Sequence, residues 1–135
     1  MKVCSKPLVE DWRAVRAKID SEPWASDLVN KLRTKTDEWI AHYHDDVGRT
    51  AGWGHNFFCE HCKANLVFDL RSPDNHRCGK CGKTTSNQGA SEAWTAYYRS
   101  GSCGLVFDAA VLYKLYGDEK YVGYIRKVLE FLSEN

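Results

Sequence analysis

The chain lacks the features typical of a membrane protein, a nucleic-acid binder or a common class of enzyme. Its longest apolar runs are far too short to cross a bilayer, and residues 1–12 lack the apolar stretch of a signal peptide. The formal net charge is only +1, so no excess of Lys and Arg favours nucleic acid as a partner. No nucleophile elbow, phosphate-binding loop or convincing pair of catalytic carboxylates is present. We therefore expect no membrane partner, disfavour nucleic acid as a partner and, by default, expect a cytoplasmic location.

What the chain has in quantity is aromatic residues. Its 135 residues suit a single domain, and the 43% apolar content is ordinary for a folded protein. Five Trp, seven Tyr and five Phe are more than a small domain usually carries. Side chains of this kind are expected in a core, in an interface or against a sugar ring.

The first third of the chain is predicted to be helical. Apolar residues recur at steps of three and four over 7–20 and again over 23–45, where Pro23 suits a first helical turn. The glycine-rich stretch 48–56 predicts a loop. We divide the chain into N-terminal helices (1–50), a cysteine-rich insert (51–88) and a C-terminal helical hairpin (89–135).

The C-terminal third is also predicted to be helical, with an interruption. A helical stripe over 89–100 meets Gly101 and Gly104, which predict a break. Two antiparallel helices over 105–116 and 119–133 are expected to follow. Gly117 suits the end of the first because it tolerates positive φ, and Asp118 suits the N-cap of the second.

The insert carries the strongest chemical signal in the sequence, the pattern Cys59-x-x-Cys62 followed by Cys78-x-x-Cys81. A two-residue gap lets both sulfurs of a pair reach one ion, and two such pairs complete a tetrahedron of thiolates. We predict one structural Zn²⁺ held by these four cysteines. The alternatives are a rubredoxin-type iron site, two disulfides, or free thiols, and all are less favoured.

The rest of the insert is expected to form a small zinc-ribbon-like β unit. Alternation over Asn65–Leu70 predicts a short strand, and the sequence at 72–75 predicts a turn. His61 and His76 lie beside the cysteines and are interpreted as solvent-facing residues, with replacement of a cysteine ligand as the alternative.

Other candidates for chemistry are weaker. Cys103 is interpreted as a buried small residue rather than a reactive thiol. His42 and His44 are interpreted as a solvated helix end rather than a second metal site. Residues that combine aromatic, imidazole or cationic groups could contact an acidic glycan, although helical spacing favours a core role for some of them. This candidate glycan set is Trp53, His55, Trp94, Tyr98 and Arg99.

Several short motifs occur in a distinctive order along the chain. They are Gly52-Trp53-Gly54-His55, Cys59-x-x-Cys62, Phe68-Asp69, Ser72-Pro73, His76-Arg77-Cys78-x-x-Cys81-Gly82, Ala93-Trp94, Asp108, Leu112 and Leu115-Tyr116-Gly117-Asp118-x-x-Tyr121. In order and spacing the chain resembles the N-terminal part of heparinase II/III-like polysaccharide lyases, over nearly its whole length.

The resemblance implies a mainly α fold, a helical bundle forming the start of an α/α toroid, with the zinc insert. Such lyases continue into further toroid helices and β-sandwich domains, and cleave uronic-acid polysaccharides by β-elimination. No position here matches their catalytic Tyr and His, so we expect a fragment that is inactive alone. An unfinished toroid should leave an apolar face unpaired, and the candidates for it are Trp12, Trp39, Tyr113 and Leu132. Such a chain either repacks or self-associates.

Two other functions remain open from the sequence. The chain could be a zinc-ribbon module that binds protein or nucleic acid, or a domain that holds an acidic glycan without cleaving it.

Overall fold

The computed structural model describes residues 11–44 and 47–134. Within these ranges the order is helix α1 (Trp12–Ser21), helix α2 (Pro23–His42), the insert with strands β1 (His76–Arg77) and β2 (Thr84–Thr85), helix α3 (Gln88–Tyr116) and helix α4 (Glu119–Glu134). The predicted mainly α fold with a small β insert is confirmed. None of the described helices combines the length and the apolar character needed to span a membrane.

The N-terminal helices form a hairpin with sharply defined ends. The carboxylate of Asp11 accepts hydrogen bonds from the backbone N–H groups of Arg13 and Ala14, so α1 begins at Trp12, later than predicted. The predicted residues 7–10 lie outside the described residues. Helix α2 begins at Pro23 as expected, but it ends at His42 rather than 45.

The early end of α2 has a tertiary cause. The Tyr98 hydroxyl accepts a hydrogen bond from the backbone N–H of His44 (3.0 Å) and donates one to its carbonyl (3.1 Å). Both backbone groups of His44 are therefore held by a side chain of α3, and they cannot continue the hydrogen-bond pattern of a helix.

The insert contains very little regular structure. β1 and β2 pair antiparallel over two residues each, and isolated bridges join Phe58 to Asn65 and Leu66 to Cys78. The predicted strand Asn65–Leu70 is therefore wrong beyond its first residues. Its extension stops because Asp69 forms a turn, with its carboxylate accepting from the N–H of Arg71.

Helix α3 runs unbroken through 29 residues, so the predicted break at Gly101 and Gly104 is wrong. Gly101 has a packing role instead. A Cβ at this position would approach Cζ2 of Trp39 to 2.7 Å, which means that the bare backbone of α3 lets the α2 indole pack closely. Gly104 faces open space, since a Cβ at that position would have nothing within 4 Å.

The C-terminal helical hairpin is confirmed. Gly117 ends α3 in the left-handed region (φ 69°), and its N–H donates to the carbonyl of Tyr113. The Asp118 carboxylate accepts from the N–H of Lys120, as expected for the cap of α4. Buried residues of both helices then meet along the hairpin.

The core has two parts that meet at α2. One combines insert residues such as Phe57 and Leu66 with Ala93 and Trp94 of α3, and the other lies between α3 and α4. Five roughly parallel rings, with neighbouring centroids 5.0–6.2 Å apart, connect α2, the insert and α3. These are Trp39, Tyr43, Phe68, Trp94 and Tyr98, and we call them the aromatic stack.

The stack changes the expectation of an unpaired apolar face. Trp39 packs against Phe68 and Tyr98 in the stack and is partly buried. Trp12 and Tyr113 are partly buried, while Leu132 is half exposed. Self-association of the chain stays a prediction.

Candidate metal centre

The two cysteine pairs form matching turns. In the first, Lys63 donates its backbone N–H to the carbonyl of Cys59; in the second, Gly82 donates to that of Cys78. The residue after the second cysteine is left-handed in both turns, with φ 59° at Lys63 and 71° at Gly82. Glycine adopts this conformation freely, whereas lysine does so at a cost. The first turn therefore keeps the same geometry despite lacking the glycine.

The four sulfurs converge on one point. All four Sγ atoms lie within 4.8 Å of one another, and contacts cross between the pairs at 3.6 Å (Cys59 to Cys81) and 3.5 Å (Cys62 to Cys78). A tetrahedron with Zn–S bonds of about 2.3 Å has sulfurs about 3.8 Å apart, whereas a disulfide needs about 2.05 Å. The arrangement fits a metal ion and does not fit the disulfide alternative.

The backbone prepares the sulfurs to carry negative charge. Hydrogen bonds from the N–H groups of Cys81 and Lys80 lower the pKa of Cys78 to about 6, although burial opposes this. Burial acts to raise the pKa of Cys59, but backbone N–H donors from Cys62 and His61 outweigh it and lower the pKa.

Cys81 behaves in the opposite way. The backbone N–H of Lys83 acts to lower its pKa, but burial and the three neighbouring thiols together raise the pKa to about 11. Four thiolates this close repel one another strongly. Without a cation, the cluster cannot ionise completely near neutral pH.

The centre is buried on one side and open on the other. Cys59 and Cys78 are fully buried in the core, Cys62 is partly buried and Cys81 is exposed. Since all four positions of a tetrahedron would be taken by sulfur, no site is left for a substrate or water. The arrangement is that of a structural centre.

The histidines beside the cysteines differ from each other. His61 is exposed, as predicted. His76 is only 1% exposed, so its interpretation as a solvent-facing residue is wrong. It packs edge-on against Phe57 (5.0 Å), and neither ring nitrogen has a hydrogen-bond partner. Burial lowers the pKa of His76, which favours the neutral ring in this packed position.

The candidate glycan set is divided between two places. Trp94 is fully buried and Tyr98 is 4% exposed, and together with Arg99 they line a small cavity of about 20 Å³, which has room for little more than a water molecule. Both rings belong to the aromatic stack. Arg99 donates to the carbonyl of Arg49 and lies over the ring of Phe131. Only Trp53 and His55 stay at the surface side by side, with ring centroids 4.7 Å apart.

The structure also places Cys103 and His42, two further residues considered in the sequence analysis. Cys103 is exposed within α3, so its interpretation as a buried residue is wrong, because the unbroken helix turns this position outward. The Nε2 atom of His42 accepts a hydrogen bond from Arg71, which connects α2 to the insert.

A second feature was missed by sequence reasoning. A cleft of about 590 Å³ lies where α2, α3 and the insert meet, and we call it the aromatic cleft. Its lining includes Trp39 of α2, Tyr97 of α3 and, from the insert, His55, Asn65 and Phe68. These residues are spread over 59 positions of sequence and follow no common spacing, so only the tertiary fold places them together. The one available signal was the Gly-rich loop around His55.

Comparisons with protein-family profiles, with curated proteins and with solved structures found no match. The resemblance to heparinase II/III-like lyases therefore stays a prediction carried by the sequence motifs. The capacity of the cysteine cluster to hold a metal ion rests separately on its geometry.

Proposed function

We propose that this chain is a non-catalytic helical scaffold stabilised by one structural Zn²⁺ bound to Cys59, Cys62, Cys78 and Cys81. The observation that carries the proposal is the convergence of four Sγ atoms within 4.8 Å. Tetrahedral thiolate sites take zinc or iron, and zinc is proposed because the 15 residues that separate the two cysteine pairs are fewer than is usual in rubredoxin-type iron sites. A reducing compartment such as the cytoplasm would keep the thiols available.

The metal would supply what the insert lacks in other interactions. Its strands are two residues long, which is too short to be stable alone. Bound zinc would hold Phe57 and Leu66 against Ala93 and Trp94 of α3. Metal binding would therefore stabilise the boundary between the insert and the helices, not the insert alone.

Native mass spectrometry tests the metal. One zinc per chain, with a mass that matches four deprotonated thiols, is expected, and a strong chelator should remove it. A coloured protein with one iron per chain would change the assigned metal from zinc to iron. A metal-free chain lighter by two or four hydrogens would refute the proposal in favour of disulfides.

We further propose that the scaffold is the N-terminal part of a heparinase II/III-like polysaccharide lyase, whose remaining toroid helices and β-sandwich domains would be its partners. The motif order from Gly52 to Tyr121 supports this, and so does the antiparallel pair α3 and α4. Because no catalytic residue is assigned here, incubation with heparin, alginate or pectin should yield no unsaturated uronate absorbing in the ultraviolet. Product formation by this chain alone would refute the non-catalytic role.

The zinc-ribbon alternative receives little support from charge. Residues 51–88 contain five basic and three acidic side chains, and a zinc ion with four thiolates carries about −2. The loaded insert then has no net positive charge for phosphate contacts. Micromolar binding to mixed-sequence DNA that falls steeply with salt would favour the alternative instead.

A further inference from the structure

We propose that the aromatic cleft is a binding site for a neutral pyranose ring, with Trp53 stacking on the next sugar unit of the same chain. The proposal goes beyond the metal scaffold. It depends neither on which metal the cysteines bind nor on the proposed lyase origin, whose uronic-acid substrates this uncharged cleft does not favour. It rests on three properties of the cleft: rigid aromatic walls, uncommitted polar groups and the absence of formal charge.

The walls are rigid before any ligand arrives. Trp39 is held between Tyr98 and Phe68, each 5.9 Å away, and its Nε1 donates to Ser102 (3.1 Å). Tyr97 is fixed by a hydrogen bond from its hydroxyl to the carbonyl of Gly54 (3.1 Å). Aromatic side chains that are already ordered lose little entropy on binding, and the cleft volume lies in the range usual for small-ligand sites.

Gly54 makes this wall possible. A Cβ at this position would lie 3.2 Å from the Tyr97 ring, so the loop approaches the ring closely because glycine has no side chain. Tyr97 remains 46% exposed although it is anchored at its hydroxyl and contacts Phe57 edge-on. An exposed, immobilised ring is suited to contact the apolar face of a sugar.

The polar groups suit hydroxyl groups. Among the hydrogen bonds of the described residues, none uses the side-chain amide of Asn65 or the ring nitrogens of His55. An amide and a neutral imidazole each donate and accept. Neighbouring sugar hydroxyls also do both, whereas phosphate and carboxylate groups only accept.

Charge selects the neutral sugar. No Lys, Arg, Asp or Glu is among the residues that line the cleft, so a buried anion would meet no counter-ion and would lose its hydration. Arg99, the cation predicted to pair with an acidic sugar, is engaged elsewhere. Trp53 is 70% exposed, and its ring lies 4.7 Å from that of His55, which lines the cleft. A large exposed indole beside a cleft is typical of a contact surface.

The test is a titration of the full chain with cellotetraose and, separately, with tetragalacturonate, followed by the indole and amide signals in NMR spectra. Metal content is measured on the same sample, so a failed zinc assignment is distinguishable from a failed cleft assignment. We expect saturable binding of cellotetraose at roughly millimolar concentration, with the Trp39 and Trp53 indole signals shifting. Tetragalacturonate should bind at least about tenfold more weakly, the equivalent of ~1.4 kcal/mol.

Variants at exposed positions identify the site without disturbing the fold. Trp53→Ala and Asn65→Ala should each weaken cellotetraose binding about tenfold, equivalent to ~1.4 kcal/mol. Trp24→Ala is the matched control, because Trp24 is also an exposed tryptophan (57%) but lies on α2 away from the lining; binding should be unchanged. No saturation, tighter binding of the uronate, or equal binding by all three variants would overturn the proposal.

Discussion

Replacing Gly101 by alanine tests the close approach between α2 and α3. Alanine in a helix interior is more stable than glycine by about 0.5–1 kcal/mol. At Gly101 that gain is opposed, because the new Cβ would lie 2.7 Å from Cζ2 of Trp39 and closer still to Cη2. Overpacking of this kind typically costs about 1–3 kcal/mol.

The indole cannot easily move aside. Trp39 is stacked on two rings and hydrogen-bonded to Ser102, so a shift would disturb the aromatic stack. Gly101→Ala is therefore expected to lower the free energy of unfolding. Near-ultraviolet circular dichroism should also change, since it reports on ordered aromatic rings.

Gly104→Ala is the matched control, three residues along the same helix. Nothing lies within 4 Å of an added Cβ there, so this variant should gain the full helical preference and melt about 1–5 °C higher. The helical gain cancels when the two variants are compared, and the difference of about 1–3 kcal/mol measures the overpacking. Equal stabilisation of both variants in urea unfolding of the metal-loaded chain would refute the packing of Trp39 on Gly101.

Three further predictions concern the metal and the insert. Cys78→Ser should abolish tight zinc binding and unfold the insert, because the metal supplies much of its stability. Cys103→Ser, the control, should leave the metal content and the melting temperature unchanged. Mass spectrometry measures the metal and calorimetry the melting, and a Cys78→Ser chain that keeps its zinc would refute the ligand assignment. Zinc affinity should fall as the pH is lowered from 8, because the metal binds thiolates and must displace their protons. The fall should be steeper below about 6, the pKa of Cys78, because this thiol is then also protonated before the metal binds. Competition with a chromophoric chelator measures the affinity, and a pH-independent value would contradict the prediction. Arg49→Lys should lower the free energy of unfolding in urea by about 1–2 kcal/mol, because a bidentate contact to Asp74 and a hydrogen bond to the carbonyl of Pro73 are lost. Arg71→Lys, at an exposed ion pair with Glu38, should lower it by less than about 1 kcal/mol. Equal losses in the two variants would show that the contacts of Arg49 stabilise the fold no more than an exposed ion pair does.

Local chemistry explains which features could be predicted from the sequence. Ligand spacing within Cys59-x-x-Cys62 and Cys78-x-x-Cys81 is a property of a few consecutive residues, so the cluster followed directly from it. Gly117 and Asp118 likewise act within one helical turn, and the hairpin between α3 and α4 was predicted for that reason. The start of α2 at Pro23 was predictable for the same reason, because it depends on one residue within the first helical turn.

Features that depend on distant residues were decided only by the tertiary structure. Gly101 looks like a helix break until the indole of Trp39, 62 positions earlier, is packed against it. Trp94 and Tyr98 could have faced solvent or core, and the rings contributed by α2 and the insert placed them in the core. His55 and Asn65 meet in one cleft because the folded insert is packed against both helices. The sequence alone determined the cysteine cluster that could hold a metal ion and the helical hairpin, since these depend mainly on neighbouring residues. Burial, exposure and the cleft were set by packing between segments that sequence spacing does not encode.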